Sequence, residues 1–489
     1  MVSISPKYHG NIGSFRIRAD SASSTDPSGN NDDADNFPER YCRHDSVDAG
    51  AGKNPRVIIA TGLNSGTAEY KNMGDVSMLQ VAVARLLSLW PNAHIEVLTD
   101  SPSDLARYCP DSKPLSRAGC AFWLGNRILL GRYHRFLPKW VSTRLSDLKR
   151  TIRLQRPSFL EFLIQLRLSF RDGDGRRRDL EAFLAALKKC DLLVVCGSGG
   201  FADSCREWNL SILDTIEVAL RREIPVVMFG QGMGPLNDKA VLHRAKNVLP
   251  GVSLITLRGS RGGLSLLESL GVPSDDILTT GDEAVELAYQ EHANKLGSGI
   301  GVNLRIASYS EVQGDLLAEV RTVLQEFARQ HNVPLLPIPI AFHEYANDHR
   351  TIQLLLAGFD DQSDGGLSLD TPLSLIQQTA HCRIVVTGAY HAAVFALAQG
   401  IPVVCLSNSA YYLAKFQGLE DLFGYGCTTV MLGEPDLPGR LAAAIENTWN
   451  SAEAVCMPLL QSARRQVETS REAYVRLQSL IGSEATGRS

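Results

Sequence analysis

The sequence predicts an α/β protein of two βαβ domains, set so that the loops at their strand ends face a common cleft. Three observations carry that expectation. Apolar, β-branched runs recur along the 489 residues, and they end in turns of small residues, as in Val385-Val386-Thr387-Gly388-Ala389. Segments with apolar residues at helical spacing separate these runs, so strands and helices alternate as parallel sheets require. Near residues 288–299 the alternation pauses, and at Gly299 it starts again as a second unit.

Residues from about Asp20 to Asn54 are rich in Ser, Asp, Asn and Gly and bury too little to offset their ordering entropy, so 1–54 reads as a disordered tail. The first domain is expected over 55–290. Arg56–Ala60 is its first strand, Val76–Trp90 its first helix and Ile95–Thr99 its second strand. A helical insert follows at about 118–189. From Arg127 to Arg178 it holds fourteen Lys or Arg against four acids, with helices expected near Val141–Gln155 and Pro157–Phe170. Its basic face is either solvated or lies against an anionic membrane or a polyanionic substrate. Alternation resumes with strands at Asp191–Cys196, Ile224–Phe229, Ser253–Arg258 and Ile277–Thr280, and helices at Leu210–Arg222 and Ser260–Leu270.

The second domain is expected over 299–450. It opens with strand Gly299–Arg305, helix Val312–His331 and strand Pro334–Pro339. Thr371 and Pro372 have the pattern of an N-cap and first helical residue. The apolar run ending at Thr387 leads into an Ala-rich helix, a second apolar run and the strand Cys427–Leu432. A helix over Gly439–Asn447 and a separate one from Met457 to Leu480, within a C-terminal segment 451–489, close the chain.

Composition bounds the function. A net charge of −4 gives no global attraction for nucleic acid, and 44% apolar with 21% charged residues describes a globular chain with sizeable cores. Ten scattered cysteines form no CxxC and no zinc spacing, which points to free thiols in a reducing compartment. Met1–Arg18 lacks the apolar core of a signal peptide, and no run approaches the length of a membrane span. The expected location is cytoplasmic, at the inner membrane face if the basic insert binds lipid.

Two glycine stretches follow apolar strands, Gly197-Ser198-Gly199-Gly200 and Gly230-Gln231-Gly232-Met233-Gly234. Backbone N–H groups there can approach an anion, although neither stretch is a dinucleotide fingerprint or a Walker loop. No metal is expected: adjacent His343 and Glu344 do not share a face, and His381 and His391 lack a third ligand. His391 falls between a strand end and a helix start, where α/β sheets hold ligands and where a histidine can pass protons. The plainer alternative is a histidine that only satisfies a backbone carbonyl. Asp75 is likewise a site carboxylate or a helix cap.

In order and spacing, these motifs resemble the polysaccharide pyruvyl transferase family from about Arg56 to Gly426. The matching residues are Asn72-x-Gly-Asp75, Gly197-Ser-Gly-Gly200 with Asp203, Gly230-Gln-Gly-Met-Gly-Pro235, Leu257-Arg258 and Gly281-Asp282. They continue with Asn303-Leu-Arg305, Asp348 after His343, Tyr390-His391-Ala392, Gly400-Ile-Pro-Val403 and Lys415. The resemblance implies a GT-B-like fold of two Rossmann-type domains. It also implies transfer of an enolpyruvyl unit from phosphoenolpyruvate, as donor substrate and without a cofactor, to a saccharide acceptor. A lipid-linked acceptor in cell-surface or exopolysaccharide synthesis is the expected partner. Arg258, Arg305 and Lys415 are the candidate cations for the donor. His391, then His343, are the candidate proton carriers. Asn72, Asp75, Asp282 and the Gly199-Gly200 and Gly232–Gly234 amides are candidate substrate contacts.

One position departs from the family pattern, which has Arg-x-His where this chain has Ala389-Tyr390-His391. The missing charge calls for another cation, a different donor or lost activity. Two readings therefore stand beside the first. One is a nucleotide-sugar glycosyltransferase with a ribose-binding carboxylate near 344 or 348; the other is a non-catalytic glycan-binding member.

Overall fold

The structure is a computed structural model that describes residues 54–61, 70–124, 139–171, 174–259, 261–306, 314–343 and 346–482. The expected tail, all but its last residue, lies outside them, as do Glu344 and most of the loop 62–75.

The first half is a parallel sheet of β1 (Arg56–Ala60), β2 (His94–Thr99), β3 (Lys113–Ser116), β4 (Leu192–Val195), β5 (Ser198–Phe201), β6 (Val226–Met233), β7 (Leu254–Leu257) and β8 (Ile277–Thr279). Its order is β3-β2-β1-β4-β6-β7-β8, with β5 paired to β6 off that path. Val57, Ile59, Leu192 and Val194 are fully buried, as strands covered on both faces demand. The second half is a parallel sheet of β9 (Gly299–Asn303), β10 (Leu335–Pro337), β13 (Cys382–Thr387), β14 (Val403–Ser407) and β15 (Cys427–Met431), ordered β10-β9-β13-β14-β15. A short antiparallel ribbon, β11 (Phe342–His343) and β12 (Ala346–Asn347), stands apart.

Three local readings needed correction. The glycine stretch 230–233 is strand rather than loop: Gln231 pairs with Ser198 and Leu257 across a register shift after Met228. Gly230 makes that bulge at φ +58°, and its N–H donates to Thr256 Oγ1. The insert contains the two expected helices, α4 (Lys139–Gln155) and α5 (Pro157–Arg171), and a third not read from the sequence, α6 (Asp174–Lys188), after α3 (Arg117–Leu124). Its basic face is not wholly solvated, because Lys149 and Arg153 are buried. Finally, the two expected terminal helices are one, α16 (Leu437–Val475), which runs through Pro458. Ala452 and Leu459 on either side of the proline are fully buried, and that packing outweighs the roughly 3 kcal/mol an internal proline costs.

Helices α1 (Met73–Leu89), α2 (Pro102–Tyr108), α7 (Arg206–Leu220), α8 (Lys239–Val248), α9 (Gly263–Ser269) and α10 (Ala284–Gln290) complete the first half. Helices α11 (Gly314–His331), α12 (Asp348–Leu356), α13 (Pro372–Ala380), α14 (Tyr390–Ala398) and α15 (Ala410–Phe423) cover the second sheet, and α17 (Leu477–Gly482) ends the described chain. The Thr371 cap forms as expected: its Oγ1 accepts from Ser374 N at 3.1 Å, with Pro372 in the first turn. The long helix α16 serves both halves. Leu441 and Ile445 lie in the second core, whereas Ser470, Arg471 and Tyr474 bond Glu283 and Glu286 of the first half.

Candidate active site

Strand ends of both halves converge on one cavity of about 630 Å³. From the first half it is walled by Asn72, Asp75, Gly199, Gly200 and Arg258; from the second, by Arg305, His343, His391 and Lys415. Nine of the expected residues therefore share one space.

The site begins at the start of α1. Asn72 caps that helix, its Oδ1 accepting from Gly74 N at 3.1 Å and from Asp75 N at 3.4 Å. The same turn is stitched to the other half, with Met73 N donating to Ile340 O and Phe342 N donating to Lys71 O. Gly74 lies directly beneath the His391 ring: a Cβ there would come within 2.5 Å of His391 Cγ, Nδ1 and Cβ. Only glycine lets the histidine of one half reach the helix start of the other.

His391 Nε2 stands 3.6 Å from Asp282 Oδ2, too far for a good hydrogen bond but close enough for a charge pair. Asp282 is buried, caps α10 through Ala284 N at 2.9 Å, and faces Arg258 Nη1 at 3.2 Å. Burial pushes its pKa up, but the His391 imidazole and the Arg258 guanidinium outweigh that and hold it below the ordinary value. Asp282 is therefore a fixed negative charge behind the histidine. Asp75 goes the other way: burial raises its pKa despite His391, Arg258 and Lys415 nearby. A carboxyl so placed is suited to exchange a proton.

Arg258 and Lys415 come from opposite halves and meet over Gly199. A Cβ on Gly199 would run into Arg258 Nη2 and lie 2.8 Å from Lys415 Nζ. Gly232 lies under the same guanidinium, where a Cβ would be 2.7 Å from Arg258 Nε. Tyr390 carries both cations on its ring, with Arg258 Cζ at 4.5 Å and Lys415 Nζ at 5.8 Å from the centroid. Tyr411 lies closer still to Lys415, at 4.0 Å, and its hydroxyl donates to Gly199 O across the cavity. Burial, then repulsion from Arg258, drives the Lys415 pKa well below the usual lysine range.

Other expected residues are placed differently. Arg305 reaches the cavity with its charge matched, since Nε and Nη2 donate to Asp348 at 2.6 and 2.7 Å. Asp348 also accepts from Asn303 Nδ2 and from the amides of Ile340 and Ala341. Four of these five donors converge on Oδ2, and at about 1% exposure the carboxylate is turned into the protein rather than presented to a ribose. His343 is buried, and burial together with Arg305 lowers its pKa to about 4, leaving it neutral at pH 7. The Gly234 amide donates to Phe201 O, which removes it as an anion contact. Ala389 is fully buried at the start of α14, its N–H donating to Thr387 Oγ1.

Residues not read from the sequence complete the wall: Tyr411 and Tyr412, and on the far side Asp100, Arg117 and Trp208. The spacing Tyr411-x-x-x-Lys415 was a usable signal, because residues four apart share a helix face. Among the described residues no cluster of His, Cys, Asp or Glu is placed to hold a metal ion.

The profile of the polysaccharide pyruvyl transferase family matches residues 72–410 of this chain. No curated protein matches the sequence significantly. Among solved structures, a putative UDP-N-acetylglucosamine 2-epimerase from Listeria monocytogenes is 12% identical. The match covers 90% of this chain and 99% of that one, at a TM-score of 0.50. The UDP-GlcNAc 2-epimerase from Methanocaldococcus jannaschii is 11% identical over 87% of this chain and 99% of its own, at TM-score 0.48. A glycotransferase of kitacinnamycin is 12% identical over 88% and 100%, at 0.46. The first of these likenesses, with the two facing parallel sheets, makes the fold GT-B-like.

Proposed function

Because the chain belongs to the polysaccharide pyruvyl transferase family, we propose that it transfers the enolpyruvyl unit of phosphoenolpyruvate to two hydroxyls of a saccharide, forming a pyruvate ketal. The observation that carries this reading is the pairing of Arg258 and Lys415 over Gly199, in the cavity that also holds His391. Two cations suit a donor with a phosphate and a carboxylate, and an adjacent imidazole suits a reaction that begins with protonation of carbon.

In this reading His391 gives a proton to the donor methylene, and C2 becomes an oxocarbenium-like centre. Asp282 steadies the imidazolium form that His391 must hold beforehand. One acceptor hydroxyl adds to C2, and Asp75 takes its proton. The second hydroxyl then displaces phosphate, its proton leaving with the phosphate or returning through His391. Each turnover consumes one phosphoenolpyruvate and one diol and gives one ketal and one phosphate. The cations on Tyr390 supply the positive charge that relatives carry at the position of Ala389. His343, neutral at pH 7, lines the site without acting as the acid. A lipid-linked sugar in cell-surface polysaccharide synthesis is the proposed acceptor.

A thermal-shift panel tests the donor. Phosphoenolpyruvate should raise the melting temperature of the native protein and sugar nucleotides should not. Stabilisation by UDP-sugars alone would replace the reading with a glycosyltransferase. Turnover is then read as phosphate release that requires an acceptor sugar and is lost in His391→Ala.

A further inference from the structure

Helix α5 is apolar on two sides, although it has one core to serve. Leu160 and Ile164 are fully buried against the first-half core. Phe159, Phe162 and Leu166, at spacings of three and four, form a second stripe that is 51%, 59% and 44% exposed. With Leu148 of α4 at 54%, they make four of the ten large hydrophobic side chains exposed among the described residues, all within twenty positions of one another. A solvated helix needs only one apolar face. Such a concentration marks a contact surface.

Its surroundings are basic. Arg144, Arg156, Arg176 and Arg178 are exposed around the stripe in sequence, in a protein whose net charge is −4. A second copy of the chain would bring the same arginines to a two-fold contact, and like charges would oppose it. An anionic bilayer accepts both features, taking aromatic and leucine side chains below the headgroups while arginines stay at the lipid phosphates. No helix among the described residues is long and apolar enough to cross a membrane, so the contact is peripheral. Helix α5 also packs against α3, whose Arg117, Cys120 and Ala121 wall the cavity.

We propose that the outer face of α5, with Leu148 of α4 and the flanking arginines, docks the protein on anionic phospholipid. Bound there, the insert that walls the cavity is also the part that meets the membrane.

Co-sedimentation with vesicles tests this without reference to the reaction. The full chain should bind phosphatidylcholine vesicles that contain phosphatidylglycerol, bind pure phosphatidylcholine weakly, and release as salt rises. The Phe159→Ser/Phe162→Ser/Leu166→Ser variant should lose about tenfold or more in partitioning, with its melting temperature and its response to phosphoenolpyruvate kept. A second variant, Arg144→Gln/Arg156→Gln, should lose the preference for anionic lipid, and decides the matter if the first fails to fold. Failure of the native protein to bind anionic vesicles, or native-like binding by both variants, overturns the proposal. So does concentration-dependent self-association that the triple substitution abolishes, which would assign the face to a second copy.

Discussion

Gly74 and His391, more than three hundred residues apart, occupy one packing unit: the imidazole lies where a side chain on Gly74 would be. The glycine of the Asn-x-Gly-Asp motif is thus a space kept for the histidine of the other half. Gly74→Ala should push the ring off Asp282 and abolish phosphate release, at a cost of about 1–3 kcal/mol in stability for overpacking. In a His391→Ala background the same substitution should cost much less. Melting curves of the two single variants and the double variant measure that coupling.

Lys415 should make donor binding pH-dependent. Burial and then Arg258 hold its pKa well below the usual 10.5, so the folded protein gives up this proton at a lower pH than the unfolded chain does. A bound dianion favours the charged form and raises that pKa again. Phosphoenolpyruvate binding should therefore take up protons, seen as buffer-dependent calorimetric heats, and affinity should fall as pH rises. Lys415→Met should remove the proton uptake and weaken binding by about tenfold or more.

Glu217 joins the insert to the body of the first half. Its carboxylate accepts from Arg150 of α4 and from Arg244 of α8, which overcome the upward push of burial and bring its pKa to about 2. A depressed carboxyl stabilises fully above its unfolded value of 4.5 and loses that contribution as pH falls toward about 2. Glu217→Gln should cost about 1–3 kcal/mol at pH 7 and almost nothing at the acid end of this window. Melting temperature against pH in both proteins checks the sign.

Asp348→Asn leaves the Arg305 guanidinium, about 5% exposed, without its countercharge. The expected loss is about 3–5 kcal/mol, read in denaturant unfolding. A paired Arg305→Met/Asp348→Leu exchange should recover part of it. That recovery would identify the pair as architecture of the cavity wall.

Ala389→Arg would restore the charge of the family pattern at a cost in packing. The alanine side chain has no exposed surface, so a guanidinium there must displace its neighbours. Melting temperature should fall by several degrees, with no gain in phosphoenolpyruvate affinity while Arg258 and Lys415 are present.

What the sequence makes legible is what local rules govern. The β-branched runs, the Thr371-Pro372 cap and the place of His391 at a strand end follow from period, capping and turn chemistry within a few residues. The partners of those residues do not. Asp282 finds His391 from another domain, and Arg305 reaches Asp348 forty-three positions along the chain. The stretch Gly230–Met233 reads as loop because its two glycines lower strand propensity, yet pairing to two neighbours makes it strand. Lys149 and Arg153 count as surface charge in any composition window and are buried all the same.

The long helix α16 gives the molecule a spine that belongs to both halves. Along it, Arg85, Glu286, Arg471 and Ser470 form a largely buried mesh of charge-assisted bonds, with Arg85 Nε 2.5 Å from Glu286 Oε2. Breaking such a mesh costs about 3–5 kcal/mol for each uncompensated charge. Elsewhere the halves are tied by the backbone bonds Met73 N–Ile340 O and Phe342 N–Lys71 O, by Tyr411 Oη to Gly199 O, and by the more exposed pairs Arg107–Asp370 and Arg261–Asp421, each of these pairs worth about 1 kcal/mol or less. Parting the halves therefore costs most along α16, where charges would be left uncompensated, and least at the exposed ion pairs.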